Sequence, residues 1–305
     1  MRRQIINRLR NGKEWLELQN VPFLSRFSRH RLFNRYAMHD ASVAELWESD
    51  PDALYVEPII VGSSVVFDVG ANVGTFCYTV QRTHQAVQLV AFEPIPALAK
   101  RLRTLFRDIV VLEVALSDAR TVEVFRIPYI DGRRCYSRGS LAPIVDTGAY
   151  DEIRVQTDLL DSVFSRMGLQ TLDFVKIDVE GHELEVIKGG ERTFRRHQPL
   201  LLIEIEQRHH LDAPIGIILA YIESLGYKGH FLNRHSLEFD PIETLDVGVH
   251  QRPEDMGTHR YINNFLFISR SADMNVWRAK LTSHLFKLLA NRRSASKGED
   301  TKRRG

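Results

Sequence analysis

The chain has 305 residues, 44% of them hydrophobic and 26% charged, the balance of an ordinary folded chain, which excludes disordered, collagenous and solenoid readings. Two cysteines, Cys77 and Cys135, can build neither a disulfide framework nor a four-thiolate zinc site, so a reducing compartment is expected. Net charge is +2, and the last fourteen residues, RRSASKGEDTKRRG, hold six Lys/Arg against two Asp/Glu, or +4, leaving about −2 for the body and no argument for nucleic acid.

Residues 1–60 read as a helical, irregular extension, with Ser42-Val43-Ala44-Glu45 as a capping box before Leu46 and Trp47. The start, MRRQIINRLRNGKEWLEL, is basic but lacks the apolar stretch of a secretory signal. No apolar run approaches the ~20 residues of a membrane span, so a soluble, cytoplasmic protein is expected.

From residue 64 short aliphatic runs alternate with helix-length amphipathic stretches. The runs are VVFDV (65–69), QLVAFE (88–93), IVVLEVAL (109–116), LDFVKIDVE (172–180), PLLLIEIE (199–206) and NFLFIS (264–269). Helices are predicted near 74–83, 96–107, 183–197 and 214–225; Leu184, Ile187 and Phe194 share one face of the third. This alternation implies an α/β domain with a parallel, doubly wound sheet. The Gly-, Ser-, Arg- and Tyr-rich segment 127–150 interrupts it and reads as a lid or binding loop over the carboxyl edge. The simplest division is an extension at 1–60, one domain at 61–270, and a helix with a basic, disordered tail at 271–305.

VVFDVGANVGTF places Asp68, Gly70, Asn72 and Gly74 where the first strand turns into the first helix. Glycines let the backbone turn sharply and approach a ligand, and the helix start offers free N–H groups. A dinucleotide fingerprint reads G-x-G-x-x-G and grips a pyrophosphate. Here the pattern is D-x-G-x-N-x-G, and a carboxylate at that place repels phosphate but suits an ammonium group. Asp68 therefore argues for S-adenosyl-L-methionine over NAD. Glu93 ends the second strand, in VAFEP, where an acid can accept hydrogen bonds from ribose hydroxyls. Ser117 and Asp118 follow the third strand, either facing an adenine amino group or simply forming a turn.

A second concentration of chemistry is LDFVKIDVEGHELEVIKGG. Asp178 and Glu180, two apart, share a strand face; like charges there need a counter-charge or a ligand, and Lys176 is on the same face. His182 starts the next helix, as a base candidate or a solvated residue. Glu204 and Glu206 also share a face, while His209 and His210 match no zinc spacing and read as a surface pair. Nothing in the spacing requires a metal, although Asp178 could hold a divalent ion.

FDVGANVGTF, AFEP, ALSDA, VKIDVEGHELEVIKGG, PLLLIEIE and YINNFLFI, in this order over about residues 60–270, resemble the FkbM family of S-adenosylmethionine-dependent methyltransferases. The resemblance implies a class I methyltransferase (Rossmann-like) fold, a seven-stranded mostly parallel sheet with helices on both faces and an antiparallel last strand. It implies O-methylation of a sugar, glycan or natural-product acceptor. By position, Asp68, Gly70, Asn72 and Gly74 would hold the methionyl part of the cofactor, Glu93 its ribose, and Ser117 and Asp118 its adenine. Asp178, Glu180 and Glu204 would line the acceptor side, with Asp178 or Glu180 as base and His182 as a further candidate. His182 departs from the small residue expected there. Arg138 and Ser140, in the 127–150 segment with Arg133, Arg134 and Tyr136, are expected to select the small-molecule or glycan acceptor. An NAD-dependent oxidoreductase is the rival enzyme reading, disfavoured by Asp68 and the missing third glycine. A non-catalytic member that binds cofactor or glycan is the rival from another class, and a nucleic-acid methyltransferase, which should show a basic, aromatic-lined face, is disfavoured by the body's slight negative charge.

Overall fold

The computed structural model describes residues 56–284 apart from 84–85, 144–147, 234–235, 237, 257, 259 and 274. The Ser42–Glu45 box, most of the 1–60 extension and the basic tail lie outside the described residues. In chain order the strands are β1 (Val65–Val69), β2 (Gln88–Phe92), β3 (Val110–Leu112), β4 (Ala115–Leu116), β5 (Val122–Ile130), β6 (Arg133–Arg134), β7 (Tyr150–Asp158), β8 (Phe174–Ile177), β9 (Leu200–Glu204), β10 (Tyr227–Asn233), β11 (Glu238–Pro241) and β12 (Asn264–Ser269). The helices that bear on the site are α1 (Val56–Ile60), α2 (Thr75–Thr83), α3 (Pro96–Leu105), α4 (Leu160–Arg166), α5 (Glu183–Gly189), α6 (Glu191–His197) and α7 (Gly216–Ser224). Among the described residues no helix is long and apolar enough to cross a membrane.

The main sheet runs β11-β10-β12-β9-β8-β1-β2-β3. Its β3-β2-β1-β8-β9 half is parallel, and β12 lies antiparallel between β9 and β10. Eight strands replace the expected seven because the chain turns back after β10 and adds β11 to the edge. The expected α/β class and antiparallel last strand hold.

Both faces of the central strands are covered, which is why they read as continuous apolar runs. Val65, Phe67, Val69, Val175, Ile177, Leu201 and Ile203 pack on one face against α4–α7. Val66, Leu89, Ala91, Phe174, Leu200 and Leu202 pack on the other against α1, α2 and α3. Register carries this alternation across the sheet: Asp68 stands beside Lys176, and Lys176 beside Leu202. Asp68 and Lys176 therefore fall on one face, with the apolar rows behind them.

Three expectations change. The 109–116 run is not one strand: β3 joins the main sheet, while β4 pairs with β7 in a second sheet of order β4-β7-β5-β6. Segment 127–150 is not structureless, since β5 and β7 form an antiparallel pair from Val122↔Gln156 to Pro128↔Tyr150. The 183–197 helix divides into α5 and α6 at Gly189-Gly190. A Cβ on Gly189 would fall 2.0 Å from the Ser117 carbonyl oxygen, so glycine is what lets α5 approach the chain after β4.

Candidate active site

The carboxyl ends of β1, β2 and β8 meet at one cleft, as ligand sites do in open parallel sheets. It encloses about 570 Å³ of empty space, counting its open mouth. Gly70, Asn72 and Glu93 line one side; Asp178, Glu180 and His182 line another. Apolar walls come from Phe92, Ile95, Leu116, Phe125 and Leu141.

The turn after β1 explains its glycines. Gly70 has φ +84, and a Cβ there would sit 1.9 Å from the Asp178 carbonyl oxygen. Only glycine lets the ends of β1 and β8 come this close. Asn72 is also left-handed, at φ +49, a conformation asparagine tolerates better than most residues. Its N–H donates to Glu93 Oε2 at 2.7 Å, and its side-chain Oδ1 is buried with no partner.

Glu93 is buried, and its Oε1 accepts the Ile95 N–H at 2.8 Å. Each carboxylate oxygen keeps a second lone pair for a ligand hydroxyl. Burial raises its pKa to about 7, against the pull of the Ile95 and Asn72 N–H groups. Asp68 is fully buried and is not among the residues lining the cleft, nor is Gly74. Asp68 Oδ2 accepts the Cys77 thiol at 3.1 Å, and Oδ1 has no partner. Burial raises the Asp68 pKa, and Lys176 opposes the rise. Asp68 thus supports the turn from behind.

At the other wall β8 stops at Ile177, so Asp178 and Glu180 do not share a strand face as the two-residue spacing implied. Glu180 is left-handed, φ +54, and Gly181 follows at φ +99. Both acids nonetheless line the cleft. Lys176 Nζ pairs with Asp178 Oδ2 at 2.9 Å, as the sequence suggested. Burial works against the Lys176 charge, but Asp178 and Asp68 outweigh it and raise its pKa. Burial, reinforced by Asp178, pushes the Glu180 carboxyl well above the carboxylate range.

His182 precedes α5 without capping it through its side chain. Its Nε2 lies 2.9 Å from Ser117 Oγ, and its Nδ1 3.6 Å from Glu185. Burial lowers its pKa, opposed by Glu185. Ser117 and Asp118 are not among the residues lining the cleft, and Ser117 is linked to it through His182.

Glu204 ends β9, where Asn263 Nδ2 donates to its Oε1 at 2.7 Å; it is not among the lining residues. From the 127–150 segment, Tyr136, Ser137, Gly139 and Leu141 reach the cleft, while Arg138 and Ser140 are not among its lining. Ser140 is a latch: its Oγ donates to the Val179 carbonyl at 3.2 Å and accepts the Ala142 N–H at 2.9 Å. Arg134 is paired with Asp151, and Arg138 closes the 3-10 turn Tyr136–Arg138.

His209 and His210 are not a surface pair. Their side chains are only 15% and 13% exposed, and they contact Glu180 at 3.2 Å and Glu183 at 3.0 Å. The sequence signal was present in IEIEQRHH, but only the loop after β9 folds it under the acidic wall. Among the described residues no three His, Cys, Asp or Glu side chains converge as a metal site would need.

A model of the methyltransferase FkbM domain matches residues 68–228, more than half of the chain. AMB antimetabolite synthetase AmbE of Pseudomonas aeruginosa is 28% identical over 284 residues, covering 82% of this chain and 12% of its own length. 31-O-demethyl-FK506 methyltransferase FkbM of Streptomyces tacrolimicus is 27% identical, covering 53% of this chain and 72% of its own. The 2-O-methyltransferase NoeI of Sinorhizobium fredii is 31% identical, covering 43% of this chain and 59% of its own. The chain thus spans about an eighth of the synthetase and under two thirds of NoeI.

Proposed function

Because the chain belongs to the methyltransferase FkbM domain family, we propose that it transfers a methyl group from S-adenosyl-L-methionine to a hydroxyl of a sugar, glycan or natural-product acceptor. The observation that carries this reading is the composition of one cleft, with Gly70, Asn72 and Glu93 on one side and Asp178, Glu180 and His182 on another. Two relatives have names that specify O-methyl positions, which supports a hydroxyl acceptor.

The residues present fit the cofactor. Asn72 Oδ1 is a buried, unpartnered acceptor on a lining residue, and a ligand amino group would satisfy it. Glu93 would hold ribose hydroxyls through its remaining lone pairs, and Asp68 would supply negative charge from behind the turn. S-adenosyl-L-methionine supplies a methyl group already activated on a sulfonium sulfur. The protein's share is then to align the acceptor, worth up to ~7–11 kcal/mol, and to take the hydroxyl proton, worth ~10²–10⁴-fold. Asp178 or Glu180 would take that proton, with His182 as a further candidate; Ser117 and Asp118 would stand near adenine, behind His182. Ser140 would act on the acceptor side through Val179, which lines the cleft.

The test is calorimetric titration with S-adenosylhomocysteine, with NADH for comparison. Binding of the first alone, weakened about tenfold or more in Glu93→Ala by loss of charge-assisted hydrogen bonds of ~1.5–3 kcal/mol, is the expected result. Binding of NADH alone overturns the reading. Release of S-adenosylhomocysteine from the methyl donor in the presence of hydroxylated acceptors separates an enzyme from a non-catalytic binder.

A further inference from the structure

The loop after β9 brings a charged network up behind the acidic wall, and cofactor binding does not account for it. Glu180 lines the cleft, yet its Oε2 is buried and makes no aligned hydrogen bond. Facing that oxygen are His209 Nε2 at 3.2 Å and the Arg208 guanidinium at 3.5 Å. Arg208 is engaged elsewhere: it donates to Glu206 Oε2 at 2.6 Å and Oε1 at 3.1 Å, and Glu206 also accepts the Tyr261 hydroxyl at 2.6 Å. His210 contacts Glu183 at 3.0 Å, and the other Glu183 oxygen accepts the Gly181 N–H at 2.8 Å. His209 is therefore the imidazole directed at Glu180. A Cβ on Gly181 would fall 2.9 Å from His209 Cβ, so this glycine lets the His209 segment approach.

We propose that Glu180 and His209 form a proton-accepting pair on the acceptor side of the cleft, with His209 the positioning residue that takes the Glu180 proton and frees a carboxylate for the acceptor hydroxyl. The proposal rests on the methyl-transfer reading above. A carboxyl buried as Glu180 is keeps its proton and cannot accept another. Burial, with Arg208 beside it, lowers the His209 pKa, so the imidazole is neutral and can accept; before the acceptor binds, burial keeps the proton on Glu180, and it passes to His209 as the acceptor hydroxyl bonds to the carboxylate. The other charged groups facing the pair are Asp178 on the segment after β8, Glu204 at the end of β9, Glu206 and Arg208 after β9, Glu183 on α5, and His210. In the transfer the acceptor O–H bond breaks as its oxygen bonds the methyl carbon. The electron pair of the broken C–S bond stays on sulfur, and the proton goes to Glu180. His209 afterwards releases its own proton to solvent.

The experiment is NMR titration of full-length protein labelled at histidine imidazoles and glutamate carboxyls, with Glu180→Gln and His209→Gln. Coupled sites titrate as a pair. In the wild type the His209 signals should show a second inflection at the pH where Glu180 titrates, absent in Glu180→Gln. In His209→Gln the Glu180 midpoint should rise by about one pH unit or more, since no imidazole at 3.2 Å then stabilises the carboxylate. His197, whose ring packs tilted against Phe164 at 4.8 Å, should not respond. A single, unchanged His209 inflection, or a Glu180 midpoint constant within about 0.3 unit, overturns the pair; if one variant fails to fold, the other decides. S-adenosylhomocysteine binding is measured on the same samples. Its retention alongside uncoupled titrations refutes the pair alone, whereas its absence in the wild type refutes methyl transfer and with it the catalytic role of the pair.

Discussion

Replacing Gly70 by alanine tests the claim that the cleft exists because two strand ends touch through a glycine. Gly70 and Gly62 both have positive φ, +84 and +92, but a Cβ on Gly62 would meet nothing within 4 Å, whereas on Gly70 it would meet the Asp178 carbonyl oxygen at 1.9 Å. Gly62→Ala therefore isolates the conformational cost, about 1–2 kcal/mol. Gly70→Ala adds overpacking of ~1–3 kcal/mol, at the upper end because the obstructing atom is backbone held by the Asp178 N–H bond to Val69 O at 3.0 Å. We expect about 3–5 kcal/mol in all. At ~2–4 °C per kcal/mol for a domain of this size, thermal melts should fall by about 2–8 °C for Gly62→Ala and about 6–20 °C for Gly70→Ala. S-adenosylhomocysteine binding should weaken only in Gly70→Ala, because relief of the clash moves Asp178 and Val179 at the cleft wall. Melting temperatures equal within error for the two variants would refute the close approach.

Glu93 has its pKa raised from 4.5 to about 7, so it is protonated below neutrality and loses an acceptor for ribose hydroxyls. Affinity for S-adenosylhomocysteine should fall as pH drops from 8, by up to roughly tenfold for each unit below about 7, and Glu93→Gln should flatten this dependence; a flat wild-type profile by calorimetry counts against the assigned role. The same upward shift makes ionised Glu93 oppose folding, so its contribution to stability decreases as pH rises from about 4.5 to 7. Lys176→Met removes the cation that Asp178 contacts at 2.9 Å and that also lowers the Asp68 pKa. Urea unfolding at pH 8 should show a loss of ~3–5 kcal/mol, and a smaller one at pH 4, because the raised pKa of buried Asp68 favours its neutral form as pH falls; equal losses at both pH values would show that charge is not the cause.

The parts of the fold legible in the chain are those decided by neighbouring residues. VVFDV and LLLIE are buried on both faces, so their core contacts appear as uninterrupted apolar runs. DVGANVG announces a sharp turn because positive φ favours glycine and asparagine whatever surrounds them. β5 and β10, VEVFRIPYI and YKGHFLN, escaped notice because polar residues interrupt their apolar positions. The break between α5 and α6 was equally hidden, since Gly189 answers to the Ser117 carbonyl on another element.

From sequence alone, this chain determined an α/β alternation, a glycine turn with an acid just before it, and acids at the end of the 172–180 run with a lysine beside them. Tertiary structure decided which of those acids face the cleft, that Asp68 stands behind the turn, and that His209 lies against Glu180. The division follows from range. Backbone conformation and burial periodicity are written within a few residues, whereas the protonation of a carboxyl depends on charges and solvent brought to it by other loops.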